Sequence, residues 1–326
     1  VTLVPMSHSL SSAIRGVLAA LLGLAAVALA ALSVALCWFQ HDLQDEDRFV
    51  STTSSLSSDQ QFRDQLVDAS VQDVMSSDAV TRYLGDGNSQ GQLFSGLSNW
   101  FHDKAEGIMH DAAQKAADSE EFRSVWEQTA RQTHQADFDG SDRKTLVVDA
   151  SPLYRAVDER VRSAIGVDLG LEDGDHLVAV EQVPDGAQEA PGAAFIRVGQ
   201  EWSGRLPVLI TLAAVAALAA AVLAGRWWAL TLGAVCAASG LATWGAFLLL
   251  HQRMQEAVAG AEGAGGVVAR HLVSALTQNQ PSWGLTSLGV GLGAAVLLII
   301  AHVVFAARRG NAEAVSYTHL TLPTTP

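Results

Sequence analysis

The chain has 326 residues, 49% of them hydrophobic, and a net charge of −14. Its acidity is lopsided: 31 acidic and 13 basic residues stand between Gln40 and Gly204, against 3 acidic and 7 basic in the rest. An acidic middle excludes nucleic acid and anionic surfaces as partners of that segment. The two cysteines, Cys37 and Cys236, both fall in apolar runs, which excludes a disulfide framework or a Cys-based metal site there.

Residues 1–15 form a short polar lead in which Val1 and Met6 are both candidate starts, and 16–39 is an uninterrupted apolar run. A cleaved signal has an apolar core of roughly 7–15 residues and a small-x-small cleavage site. This run is longer and ends on the bulky Leu36-Cys37-Trp38-Phe39, so it predicts an uncleaved membrane helix. Arg15 precedes it, and Asp42, Asp45, Glu46 and Asp47 follow. That asymmetry predicts a cytoplasmic N-terminus.

Residues 40–204 read as a helical domain opened by a Ser/Thr-rich linker at 51–58. Apolar residues at helical spacing predict helices over 59–75 (Phe62, Leu66, Ala69, Val74) and 93–117 (Leu93, Leu97, Trp100, Phe101, Lys104, Ile108, Ala112). A third covers 118–134 (Phe122, Val125, Trp126, Thr129), with Asp118 and Glu121 spaced as a capping box. Residues 59–63 and 119–123 share a polar cap, a Phe and an Arg, the pattern of two ordinary helix starts, each with a buried Phe. Residues 145–149 and 176–183 are β-like and able to pair, with Asp185-Gly186 closing the second. Between them Pro152 opens a helix carrying Leu153, Val157, Val161 and Ile165.

Residues 206–224 and 227–250 carry no charge and are separated only by Gly225-Arg226. Each run is near the roughly 20 residues that span the hydrocarbon, and the break is too short for a domain, so they predict a membrane hairpin. Residues 251–284 read as a polar outside loop with a short amphipathic helix at 267–276, and 285–307 as a fourth crossing. Residues 308–326 are a cytoplasmic tail. Its last part, 315–326, reads as translated sequencing adapter and is set aside. Four crossings put Arg15, Arg226, Arg308 and Arg309 on one side, which the positive-inside bias makes cytoplasmic, with 40–204 outside the bacterial plasma membrane. Trp38, Trp202, Trp227, Trp228 and Trp283 fall at the predicted membrane edges as an aromatic belt. The fold class is therefore mainly α: four transmembrane helices plus an α-rich extracytoplasmic domain with one or two short strands.

Motifs for chemistry are sparse. His41, His102, His110, His134 and His176 read as solvated, and no HExxH is present. Residues 137–142 lack the ligand order of a calcium loop and read as a solvated turn, as do 172–175. No nucleophile elbow or phosphate loop occurs. Gly289 and Gly293 form a GxxxG spacing that lets a neighbouring helix approach closely, and His302 is the one ionisable side chain within a crossing. No catalytic, cofactor-binding or metal-binding residue is expected.

The residues 62–66, 119–126, 146–149 and 206–209 carry a resemblance to a group of uncharacterised integral membrane proteins of actinobacteria. It covers residues 12–309. The resemblance implies one N-terminal transmembrane helix, a helical extracytoplasmic domain and three C-terminal transmembrane helices; it implies no activity. The function expected is a non-enzymatic membrane protein of the cell envelope whose acidic domain binds or senses something outside. The alternative is a transporter-accessory or channel-like subunit; an envelope hydrolase has only scattered carboxylates and histidines behind it. Expected partners are the lipid bilayer, an envelope protein and a second copy through the transmembrane helices, with no nucleic acid and no cofactor.

Overall fold

Most of the chain is helical, and the computed structural model describes residues 7–76, 92–140, 143–165, 176–181 and 183–318. α1 (Ser7–Trp38) runs through a π-helical turn (Phe39–Gln44) into α2 (Glu46–Ser54), a 3-10 turn (Ser55–Ser58) and α3 (Gln60–Met75). There follow α4 (Gln92–Ala117), α5 (Phe122–Phe138), β1 (Val147–Asp149), α6 (Ser151–Ile165), β2 (Leu177–Ala179) and α7 (Pro191–Ser203). The last four helices are α8 (Leu206–Ala224), α9 (Trp228–Val258), α10 (Gly263–Thr277) and α11 (Gln280–Thr318). β1 and β2 pair antiparallel, Val148 opposite Val178, as the sequence predicts.

The chain divides into two units. The first is built on α1, α8, α9 as far as Leu250, and α11. Three helical stretches, Ile14–Gln44, Leu206–Val258 and Gly263–Arg308, are long and apolar enough to cross a membrane. The second of these folds back at a 3-10 turn (Gly225–Trp227) in which Gly225 takes φ +59°, a conformation that costs little only to glycine. Arg15 donates to the Leu223 carbonyl at 3.4 Å, so the start of α1 lies beside the end of α8 and the two run antiparallel. Gly23 of α1 abuts Val235, which sets α9 parallel to α1. Gly233 backs onto Ala295 and Gly240 onto Ser287 and Leu288, which sets α9 and α11 antiparallel.

The outer surface of this unit is apolar. Among the described residues every large hydrophobic side chain that is well exposed lies on it, except Ile108, Val183 and Val198. Val222 is 75% exposed, Leu297 69% and Leu24 67%, side chains that water would drive inward but lipid would not. Trp38 departs from the predicted belt. It is fully buried, edge-on to Phe247 with ring centroids 5.9 Å apart.

The second unit comprises Phe39–Glu201 and His251–Gln278. Its centre is aromatic: Phe62 sits edge-on to Trp126 at 4.8 Å and against the His271 ring at 5.1 Å. Trp126 Nε1 donates to the Thr53 carbonyl at 2.8 Å, which satisfies a buried donor. The two similar helix starts pack reciprocally. Phe62 and Phe122 are both buried, Arg63 reaches Asp118 at 3.5 Å, and Arg123 donates to Ser58 at 3.2 Å.

Several sequence expectations are corrected here. Residues 51–58 are not a linker but the end of α2 and its 3-10 turn, because Val50, Thr53 and Leu56 are buried and the serine hydroxyls bond back to carbonyls one turn earlier. Residues 251–284 are almost wholly helical rather than loop, and the short amphipathic helix expected at 267–276 is present within a longer one. α9 extends to Val258, and α10 buries Val268, Leu272 and Leu276 in the second unit. Asp73 accepts the Ala264 N–H at 2.8 Å, tying α3 to α10 across 191 positions of sequence. The buried face of α3 is Phe62, Leu66, Val67, Val71 and Met75 rather than one through Ala69 and Val74. In α4 the alanines at 112, 113, 116 and 117 are buried, whereas Ile108 is 45% exposed; the side chains of Leu93, Leu97, Trp100 and Phe101 lie outside the described residues. The expected capping box does not form: α5 starts after Glu121, which makes no side-chain cap, while Asp118 pairs with Arg63 and Gln114.

Candidate functional site

The second unit carries a markedly polar cleft, with a volume of about 470 Å³, at the corner where α5 ends, β1 begins and α7 passes. Asp137 is the last acid of α5 before its C-cap. α5 is amphipathic, and its Trp126, Thr129 and Ala130 are buried on one face, which carries position 137, two turns on, inward as well. There the carboxylate accepts the Val147 N–H at 3.0 Å and so anchors the first residue of β1. Desolvation raises the Asp137 pKa to about 7; the Val147 N–H and Arg143 oppose the rise, and Glu181 and Asp139 add to it. Residue 137 is therefore not part of a solvated turn, because the helix face it belongs to is the buried one. Residues 141, 142 and 172–175 lie outside the described residues.

Behind the lining, Glu181 ties together the backbone that carries Leu146 and Ala193. Its carboxylate accepts N–H groups from Leu146 at 3.0 Å, Gly192 at 2.8 Å and Ala193 at 3.0 Å. These donors are the orphan amides of the α7 N-terminus plus the amide just before β1, so one side chain clamps three elements. Glycine at 192 leaves room for this clamp. A Cβ there would stand 2.7 Å from Leu146 Cδ1 and 2.8 Å from the Glu181 carboxylate. The clamp sets α7 beside the 143–146 connection, and Ala190 N donates to the Lys144 carbonyl at 2.7 Å.

Three cations line the space: Arg143, Lys144 and Arg197. Arg197 makes a two-point bond to Glu189, and that guanidinium holds the Glu189 carboxyl below its usual range. Arg143 reaches Asp139 at 3.7 Å, while its buried Nε makes no hydrogen bond among the described residues. Gln200 closes the floor by donating to the Phe138 carbonyl at 3.2 Å. Arg197 is matched by Glu189 and Arg143 by Asp139, and Glu181 lies close enough to act on Asp137, so the cleft is a mixed-charge site rich in hydrogen-bonding groups. The arrangement suits a small, strongly hydrogen-bonding group, and Asp137 is poised to take or release a proton near pH 7.

Sequence reasoning missed this cleft. The available signal was that Arg143, Lys144 and Arg197 are three of only 13 basic residues in the segment; nothing in their spacing joins them. The histidines are a mixed case. His110, partly exposed, meets Asp68 at 3.0 Å. His134 is buried rather than solvated, bonded to the Leu43 carbonyl at 3.0 Å and stacked on Phe138 at 4.4 Å, and burial lowers its pKa. His176 packs at a tilt against the Tyr154 ring, centroids 4.4 Å apart. The side chain of His102 lies outside the described residues. No group of three His, Cys, Asp or Glu able to hold a metal occurs among the described residues.

Arg15 and Arg226 come together at one end of the first unit and line the same cleft. Arg226 lies over the Trp227 ring at 4.9 Å, and Trp227 stacks on His302 at 6.5 Å. Arg308 is exposed further along α11, and the side chain of Arg309 lies outside the described residues. Gly289 and Gly293 meet nothing within 4 Å. The close approach within the chain falls instead on Gly291, whose Cα faces the Cys236 carbonyl and Gly240.

No protein-family model, no curated protein and no solved structure matches this chain.

Proposed function

We propose that this is a four-crossing protein of the bacterial plasma membrane whose acidic domain lies outside the cytoplasm and binds or senses a small ligand. It is a binding protein, not an enzyme, with the layout of the actinobacterial proteins it resembles. The observation that carries the reading is how the domain is assembled. It is one folded unit made of two chain segments, Phe39–Glu201 and His251–Gln278, and each segment begins and ends at an apolar helix. A single folded domain occupies one side of a bilayer, so α1, α8, α9 and α11 each have one end on that side. This assembly supports four crossings, with Arg15, Arg226 and Arg308 on the other side. This agrees with the positive-inside bias but does not depend on counting charges.

The binding site is the cleft of Arg143, Lys144, Arg197 and Asp137. Arg143, Lys144 and Arg197 supply hydrogen-bond donors for the ligand's polar groups, and Asp137 makes its capture sensitive to pH near neutrality. Two experiments test the proposal. Cysteines placed singly at positions 140 and 226 of a Cys37→Ser/Cys236→Ser background are challenged with a membrane-impermeant maleimide on intact cells. Labelling at 140 with protection at 226 is expected, and the reverse overturns the topology. A double Arg143→Ala/Lys144→Ala variant, expressed in a deletion strain, is expected to fail to restore the wild-type phenotype while reaching the membrane at normal level. Full rescue would remove the cleft from the function.

A further inference from the structure

We infer that the first unit holds a specific site for one anionic phospholipid, in the cleft between the start of α1 and the start of α9; this rests on the membrane reading above. The cleft has a volume of about 1000 Å³, the upper end of the roughly 300–1,000 Å³ typical of ligand sites. Its shape comes from missing side chains. Gly16, Ala19, Ala20 and Gly23 face Ala234 and Ala238, and none of them reaches beyond Cβ, so two helices that touch at Gly23 and Val235 leave a chute between them. Leu24, Val27 and Leu223 add apolar wall suited to an acyl chain.

The mouth of the chute is of opposite character. Arg15 and Arg226 both line it, and among the described residues no acidic one does. Arg15 spends one N–H on the Leu223 carbonyl, and Arg226 rests over Trp227, leaving guanidinium donors for a phosphate. Trp227 is half exposed at the same level, where an indole favours the boundary between headgroup and hydrocarbon. Apolar length ending in two cations and an indole is complementary to a lipid with a negative headgroup, and not to a neutral one. A peptide helix would need a wider groove and would leave both arginines without a counter-charge. Basic pockets between transmembrane helices on the cytoplasmic side are the expected place for such lipids.

The test uses the full-length protein, delipidated in detergent and titrated with phosphatidylglycerol or phosphatidylcholine while bound lipid is counted by native mass spectrometry. One phosphatidylglycerol is expected to bind roughly 25-fold tighter than phosphatidylcholine, from about five-fold for each arginine. Arg15→Gln/Arg226→Gln should bring that ratio near one. Ala20→Phe, which fills the chute at an exposed position, should lose both lipids with the arginines intact. Glycerol 3-phosphate should not displace the lipid; displacement at comparable concentration would make this an anion site and overturn the proposal, as would equal binding of the two lipids by the wild type. Because Ala20→Phe can disturb packing, its thermal transition is compared with wild type, and the arginine pair decides the matter if it differs. Flotation of the protein with phosphatidylcholine vesicles after alkaline wash reports membrane insertion separately, so failure of that reading is distinguished from failure of lipid selectivity.

Discussion

Asp137→Asn should make the protein less sensitive to pH and more stable above neutrality. In the folded state burial moves the carboxyl from its ordinary 3.8 to about 7. At about 1.4 kcal/mol per unit, the ionised form is disfavoured by about 4 kcal/mol. The sign follows from linkage. A carboxyl whose folded pKa is raised holds its proton longer in the native state, so stability is greatest below the unfolded value and falls as pH rises to about 7. Between pH 5 and pH 8 the wild type should lose roughly 3 kcal/mol from this group. For a domain of this size that corresponds to a fall of roughly 6–12 °C in the unfolding midpoint. Asparagine keeps an acceptor for the Val147 N–H and carries no charge, so the variant should lack the slope and exceed wild type at pH 8. His134, one turn earlier, works in the opposite direction: burial lowers its pKa, so its contribution is lost as pH falls. The wild-type minus variant difference at each pH cancels it. The assay is thermal unfolding in detergent followed by tryptophan emission at pH 5, 6, 7 and 8. Parallel pH profiles for the two proteins would refute a buried, neutral Asp137.

Phe62→Ala, at a fully buried position beneath Trp126 and His271, should cost about 3–5 kcal/mol in a urea titration. Trp126→Phe should cost about 1–2 kcal/mol, because the Thr53 carbonyl loses its 2.8 Å donor inside the core. Asp73→Ala removes the acceptor for the Ala264 N–H at the start of α10 and should cost about 1 kcal/mol, seen as faster proteolysis within 251–278. In the first unit, Gly291→Leu should lower the thermal midpoint in detergent, since any side chain there meets the Cys236 carbonyl and Gly240. Gly289→Ala and Gly293→Ala should leave that midpoint unchanged.

The sequence by itself determined the elements. Uncharged runs near 20 residues specify apolar helices regardless of what they touch, and the Gly225-Arg226 break specifies a turn between two of them. Asp59 caps α3 through the Gln61 and Phe62 amides, Pro152 sits in the first turn of α6, and β1 and β2 lie within the two β-like runs, because caps, turns and strand runs are set by near neighbours. Tertiary structure decided everything that joins distant residues. Residues 51–58 look like a linker until their apolar minority is buried, and the amphipathic helix legible at 267–276 gives no sign that it completes a core begun two hundred residues earlier. Helical glycines alone do not say which one faces a neighbour; the rotation of α11 chose Gly291 over the better-spaced Gly289 and Gly293. The polar cleft is of the same kind. Asp137, Glu181, Arg143 and Arg197 are ordinary surface residue types in sequence, and only desolvation and the three-donor clamp on Glu181 turn them into a site. Local chemistry acts over a few residues and is legible in order; burial and charge pairing depend on which helix faces arrive together, and that is a property of the folded chain alone.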